Sequence, residues 1–243
     1  MNLFIVLGGA AALAAGGLLA TSGPNAVSNP TAAPAVAHRG APVLVELYQS
    51  QGCSSCPPAN ANLNAIAGSP GIVALSFGVT YWDQLGWKDT FAKPQFTERQ
   101  WDYARFNGRG NVATPQIWVN GRRTLVGNDR RELQSTIAAA QSSGPALSLL
   151  GGNVVVGQGR APSGGADVWV ARYDPRVVEV PIRAGENGGR TLPHRNVVRQ
   201  LLTVGHWTGA TKSFAVPASP QGLATAVFVQ AGKGGPVLSS AKL

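Results

Sequence analysis

Val43-Leu44-Val45-Glu46-Leu47-Tyr48-Gln49-Ser50-Gln51-Gly52-Cys53-Ser54-Ser55-Cys56-Pro57-Pro58 is an apolar run, a short polar loop, two cysteines separated by two serines, and a proline pair. Val43–Gln49 has the make-up of a buried strand, and Pro57-Pro58 suits the first turn of a helix, where a missing N–H costs little. In a strand, tight loop, Cys-x-x-Cys, helix arrangement one thiol can become acidic and the other can resolve a mixed disulfide. Two other readings stay open. A zinc half-site would need more ligands, and Cys53 and Cys56 are the only 2 cysteines of 243 residues. A structural disulfide across two residues removes little unfolded-state entropy. Redox chemistry is the favoured reading.

Working outward, 44% hydrophobic residues supply a packed core and exclude a disordered chain. The net charge is +9, from 20 Lys+Arg against 11 Asp+Glu. The arginines are scattered, with Arg122-Arg123 and Arg130-Arg131 as the only doublets. No aromatic-basic stripe accompanies them, which argues against nucleic acid as a partner. Leu3 to Ala20 is 18 uncharged apolar or small residues, broken by Thr21-Ser22-Gly23-Pro24. Residues 1–22 therefore read as a signal peptide or an N-terminal anchor, the one route by which a membrane would be involved, and cleavage is favoured. Residues 23–41 read as a linker, and the body as exported, periplasmic or secreted.

Residues 42–143 read as an α/β domain. Leu63, Ile66 and Ala67 give the first helix its inner face, and Gly68-Ser69-Pro70-Gly71 stops it. Ile72–Val79 is a second buried strand. Thr97-Glu98-Arg99-Gln100 has the form of a capping box opening a helix, with Trp101, Ala104 and Arg105 on one stripe. Pro115–Val119, Asn120-Gly121 and Arg122–Val126 predict a hairpin with a type I′ turn. Asn128 or Asp129 then caps a helix through Gln141.

This β-α-β-α-β-β-α order, with Cys-x-x-Cys after the first strand and Thr114-Pro115 before the hairpin, resembles the thioredoxin fold. The chain more closely resembles an uncharacterised family of secreted bacterial proteins with a thioredoxin-like core. The blocks that carry this are Ser50-Gln51-Gly52-Cys53-Ser54-Ser55-Cys56-Pro57-Pro58, Tyr81-Trp82-Asp83-Gln84-Leu85-Gly86-Trp87-Lys88-Asp89, Thr114-Pro115-Gln116 and Gly185-Glu186-Asn187. The resemblance implies that Pro115 is preceded by a cis bond and packs against the dithiol, with Thr114 beside it. It also makes Glu46 a candidate buried acid that relays protons beneath the dithiol; an acid at an exposed strand end is the competing reading. One departure is visible at Gly78 and Thr80, where that pattern often has a His and an Asp.

Cys53, at the loop apex, is expected to be the more exposed thiol and the nucleophile, with Cys56 as resolving thiol. Pro57 disfavours helical geometry at Cys56, so a late helix start is expected. Tyr81, Trp82, Trp87, Phe91 and Phe96 fall within 16 residues, which reads as a lid over the core or a recognition surface near the dithiol, with Trp82 and Trp87 as candidate client-binding residues. His38, His194 and His206 lie far from the cysteines in sequence, and a copper-handling role would need one of them to reach the dithiol. No motif implies a cofactor.

From residue 144 to 243 the pattern changes to period two with Gly and Pro breaks, predicting a small, mostly antiparallel β domain. Its strands are expected at Val154–Val156, Asp167–Tyr173, Val177–Ile182, Val197–Val204, Lys212–Val216 and Ala224–Gln230, with Glu186-Asn187-Gly188-Gly189 a turn. Two functions from different classes remain. One is an exported thiol–disulfide oxidoreductase acting on protein clients with a redox partner. The other is a binding module on the same scaffold with a locked disulfide.

Overall fold

A computed structural model of the protein describes residues 41–142 and 144–243. The N-terminal segment, nearly all of the linker, Ser143 and His38 lie outside the described residues. The chain runs β1 (Val43–Gln49), α1 (Pro57–Ile66), β2 (Ile72–Gly78), a 3-10 turn (Asp83–Leu85), α2 (Pro94–Phe106), β3 (Gln116–Val119), β4 (Arg123–Leu125) and α3 (Arg130–Ala139). Strands follow: β5 (Leu147–Leu150), β6 (Asn153–Val156), β7 (Ala166–Asp174), β8 (Val178–Pro181), β9 (Thr191–His194), β10 (Val197–Trp207), β11 (Lys212–Ala215), β12 (Ala224–Gln230) and β13 (Val237–Lys242).

The fold is mixed α/β, with one large mixed sheet and two small antiparallel ones. β1 pairs parallel with β2 and antiparallel with β3, which continues to β4. On the far edge of β2 lies β10, parallel, with Val197 opposite Ser76. β7, β12 and β13 then extend the sheet antiparallel, giving the order β13-β12-β7-β10-β2-β1-β3-β4. The expected β domain after residue 144 is therefore not a sheet of its own. Four of its strands complete the sheet begun by β1 and β2, and the described residues form one compact unit. The reason is the open edge of β2, whose residues are buried throughout and whose backbone needs a partner there. β5, β6 and β11 form the second sheet, β8 and β9 the third.

Alternation along β1 sorts the two faces. Val43, Val45 and Leu47 pack with Ala59, Leu63 and Ile66 of α1 and Leu133 and Ile137 of α3. Leu44 and Tyr48 point the other way, into a cluster with Phe96 and Tyr103 of α2 and Tyr173, Ala226 and Phe228 of the C-terminal strands. Glu46 shares their parity and so faces α2.

Three local expectations change. α1 starts at Pro57, not later: Cys56 takes helical angles (φ −79, ψ −30), and its carbonyl accepts the first helical bond from the Asn60 N–H at 3.0 Å. α2 begins at Pro94, one turn before Thr97, because Pro94 fits the first helical position and leaves Lys93 as the extended N-cap. Its buried face is consequently Phe96, Arg99, Gln100, Tyr103 and Ala104; Trp101 is only half-buried and Arg105 exposed. The hairpin turn is as expected. Asn120 and Gly121 both have positive φ (47 and 62), and Asp129 caps α3 through the Arg131 and Glu132 amides.

Candidate functional site

Cys53 and Cys56 are joined in a disulfide, with their Cα atoms 5.4 Å apart. β1 leads directly into the loop, which turns twice: the Cys53 N–H bonds the Ser50 carbonyl and the Cys56 N–H the Cys53 carbonyl, each at 3.2 Å. Cys56 is the N-cap of α1. Cys53 was expected to be the exposed thiol. Instead both cysteines are buried, at 0% and 1% exposure, and only Ser54 and Ser55 face solvent. The Ser55 hydroxyl lies 3.3 Å from Cys53 Sγ and 3.5 Å from the Thr114 carbonyl oxygen, and Asn128 Nδ2 donates to the Ser55 carbonyl at 3.4 Å.

The Thr114–Pro115 bond is cis, as the resemblance implies, and Pro115 is buried. Gln100, on the inner face of α2, fixes this segment by donating to the Ala113 carbonyl and to Gln116 Oε1, both at 2.8 Å. Thr114 is thus brought to the dithiol loop through Ser55.

Two further loops hold the cysteines. From the aromatic insertion, Asp89 accepts the Gln51 and Phe91 amides, each at 2.7 Å. Burial pushes its carboxyl up to about 6, against the pull of those amides. Trp87 Nε1 donates to Gln51 Oε1 at 2.9 Å, so Trp87 stands two residues from Cys53 along the loop it contacts. Trp82 does not come with it; it packs on the α2-side core cluster. The insertion is therefore split between core packing (Tyr81, Trp82, Phe96) and the dithiol loop (Trp87, Asp89).

The other loop joins β8 to β9. Asn187, fully buried, donates from Nδ2 to the Gln51 carbonyl at 2.9 Å and the Cys53 carbonyl at 2.8 Å, while its Oδ1 accepts from Arg190. One Glu186 carboxylate oxygen accepts the Ser54 amide at 3.0 Å and the Ser54 hydroxyl at 2.6 Å. The expected turn is present, with the Gly188 N–H on the Gly185 carbonyl at 3.0 Å. Gly185 has φ +74, and a Cβ there would come 3.2 Å from that of Trp87, so the two loops abut at a position only glycine suits. The signal that could have found these residues lay in the sequence blocks themselves: three of the four converge on Gln51–Cys56.

Glu46 is buried in an ion pair. Arg99 grips both carboxylate oxygens, at 2.8 and 3.2 Å, and the Tyr103 hydroxyl donates to one of them. Arg99 also donates to Gln230 Oε1 at 3.0 Å, so the pair ties β1, α2 and β12 together. A carboxylate engaged by a guanidinium on the α2 face is a structural ion pair, and the hydrogen bonds of Glu46 run to Arg99, Tyr103 and Tyr48. Of the described histidines, His206 pairs with Asp167 at 2.9 Å, away from the site. His194 is buried at the end of β9, its Nδ1 3.5 Å from Gln49 Nε2 and its ring edge-on to Phe91. No group of three or more His, Cys, Asp or Glu side chains placed to hold a metal ion occurs among the described residues. Gly78 has the backbone of Phe91 and Ala92 against it; a Cβ would sit 2.8 Å from the Ala92 nitrogen. A larger residue there requires that segment to move.

The chain has structural counterparts. A protein from Agrobacterium tumefaciens, known from an X-ray structural-genomics structure, is 31% identical, with a TM-score of 0.71 over 85% of this chain and 96% of that one. HBP35 of Porphyromonas gingivalis shares the fold alone, at 12% identity and TM-score 0.54 over 84% of this chain and 74% of its own. No curated protein matches the chain. Residues 44–230 match the family described as protein of unknown function DUF1223, and the chain belongs to that family.

Proposed function

We propose that this DUF1223 protein is an exported thiol–disulfide oxidoreductase on a thioredoxin-like core, acting on protein clients through Cys53 and Cys56. The carrying observation is the disulfide at the first turn of α1, where the Ser55 hydroxyl reaches both Cys53 Sγ and the Thr114 carbonyl. The parallel β1–α1–β2 unit, with β3 and β4 antiparallel beside it, supports the thioredoxin-like reading. In the reducing direction the Cys53 thiolate attacks a client disulfide, and one client sulfur leaves as thiolate. The Cys56 thiolate then attacks Cys53 Sγ, the mixed bond breaks, the second client sulfur leaves, and the Cys53–Cys56 bond re-forms. Two electrons pass to the client, and a dithiol partner restores them. The oxidising direction is the reverse, and the potentials of protein and partner choose between them.

Ser55 serves this chemistry directly, because its hydroxyl can donate to a Cys53 thiolate and favour it. Cys56, in the N-terminal turn, is the leaving and resolving sulfur. A second reading draws on the burial of both cysteines: a locked disulfide inside a binding module. Attack on Cys53 requires the loop around Ser54 to part from Glu186 and Asn187, and the two readings differ in whether it does.

The deciding experiment uses single variants of the full chain. With Cys56→Ser, mixed disulfides with client proteins should accumulate through Cys53; with Cys53→Ser, exchange should cease. Equal alkylation of both thiols in the reduced protein, with no trapped client in either variant, would favour the locked module.

A further inference from the structure

Glu186 reaches the dithiol loop from a segment more than a hundred residues away and takes both donors of Ser54, the residue that follows Cys53. Those two bonds hold its carboxyl below the usual glutamate range, so the charge is permanent at neutral pH. Other charges nearby are Asp89, on the Gln51 amide, and Arg190, whose guanidinium is on Asn187 Oδ1. Two consequences for sulfur follow. The Ser54 amide is engaged by a carboxylate and is not free to turn toward a Cys53 thiolate. A fixed anion one residue from that sulfur also disfavours a second negative charge beside it.

Both effects act on the dithiol form and spare the disulfide. We propose that Glu186 is a positioning residue that stabilises the Cys53–Cys56 bond against reduction, setting the reduction potential of the site and keeping its loop closed. Asn187 supplies the rigid part of the same clamp through the Cys53 carbonyl, and Glu186 the adjustable part. The inference rests on the oxidoreductase reading for its purpose, but the effect itself is a property of the disulfide.

The test equilibrates the intact protein with a dithiothreitol couple at about pH 9, above the ordinary cysteine value of about 8.5 so that the dithiol is ionised, and compares it with Glu186→Gln, at low salt and in 1 M NaCl. Glutamine keeps an acceptor oxygen for Ser54 and removes only the charge. The expected result at low salt is a disulfide about threefold to tenfold easier to reduce in the variant, a tenfold change being about 30 mV for two electrons. The gap should close at high salt, where the Debye length falls to about 3 Å. A purely structural residue would give no salt-dependent gap. Identical equilibria for parent and variant at low salt, or a gap that salt leaves unchanged, would overturn the assignment. Client trapping with Cys56→Ser is read separately: no trapped client beside a salt-sensitive shift sinks the oxidoreductase reading and leaves Glu186 its role.

Discussion

Asp89 and His194 sit on either side of Phe91, whose amide bonds Asp89 and whose ring lies edge-on to His194. Each is nearly fully buried, and burial drives their carboxyl and imidazole in opposite directions: Asp89 from 3.8 up to about 6, His194 from 6.5 down to about 4. The signs follow from linkage. Asp89 binds its proton more tightly in the folded state, so its contribution is present below 3.8 and lost as pH rises through about 6. His194 binds its proton less tightly when folded, so its contribution is present above 6.5 and lost as pH falls through about 4. Either shift is worth up to about 3 kcal/mol, and between pH 4 and 6.5 the two oppose each other. His194→Gln should therefore lose stability from pH 4 to 6.5 relative to the parent, and Asp89→Asn should gain it. Urea unfolding across that window checks this; slopes of the same sign in both variants would refute it. Neither role was visible in the sequence, where Asp89 is one of two acids in an aromatic stretch and His194 is remote from the cysteines.

Among the elements, β1, α1, β2, the hairpin and α3 were legible because their signals are local: apolar runs, a proline pair, Asn-Gly and an Asp cap. α2 was misread at its start because Thr97-Glu98-Arg99-Gln100 imitates a capping box inside a helix already opened by Pro94. The six C-terminal strands expected from period two are present; β5, β9 and β13, which carry weaker alternation, were missed. The functional work of the 79–93 and 182–190 connections was hidden for a different reason. Their side chains act on the backbone of a third segment, and nothing local encodes that partner. Trp87 gives these connections a reporter. Its indole is bonded to Gln51 beside the disulfide, whereas Trp82 is in the core cluster on the α2 face. The redox-dependent part of tryptophan emission should vanish in Trp87→Phe and persist in Trp82→Phe, with modest loss of stability in each. The reverse pattern would place the lid elsewhere.

For the whole molecule, the eight-stranded sheet makes the two halves of the sequence one core. Glu46 on β1, Arg99 on α2 and Gln230 on β12 meet in a buried polar network, and Arg99 also lies over the rings of Tyr103, Trp169 and Phe228. Removing either partner of such a pair leaves an uncompensated buried charge, at a cost of about 3–5 kcal/mol. An apolar strand declares that it will be buried without saying against which neighbour, which is why β10 beside β2 was not foreseen. This continuity also brings the β8–β9 connection onto the cysteine loop, so the C-terminal half completes the site. On the proposed function, the Cys53–Cys56 bond is a working redox couple. Its reduction potential in the intact protein, measured by equilibration with a thiol couple, tests that most directly. The expected value lies above about −300 mV, with Glu186 holding it toward the reducing end of the catalytic range. A value below about −300 mV would mark the disulfide as structural and contradict the claim.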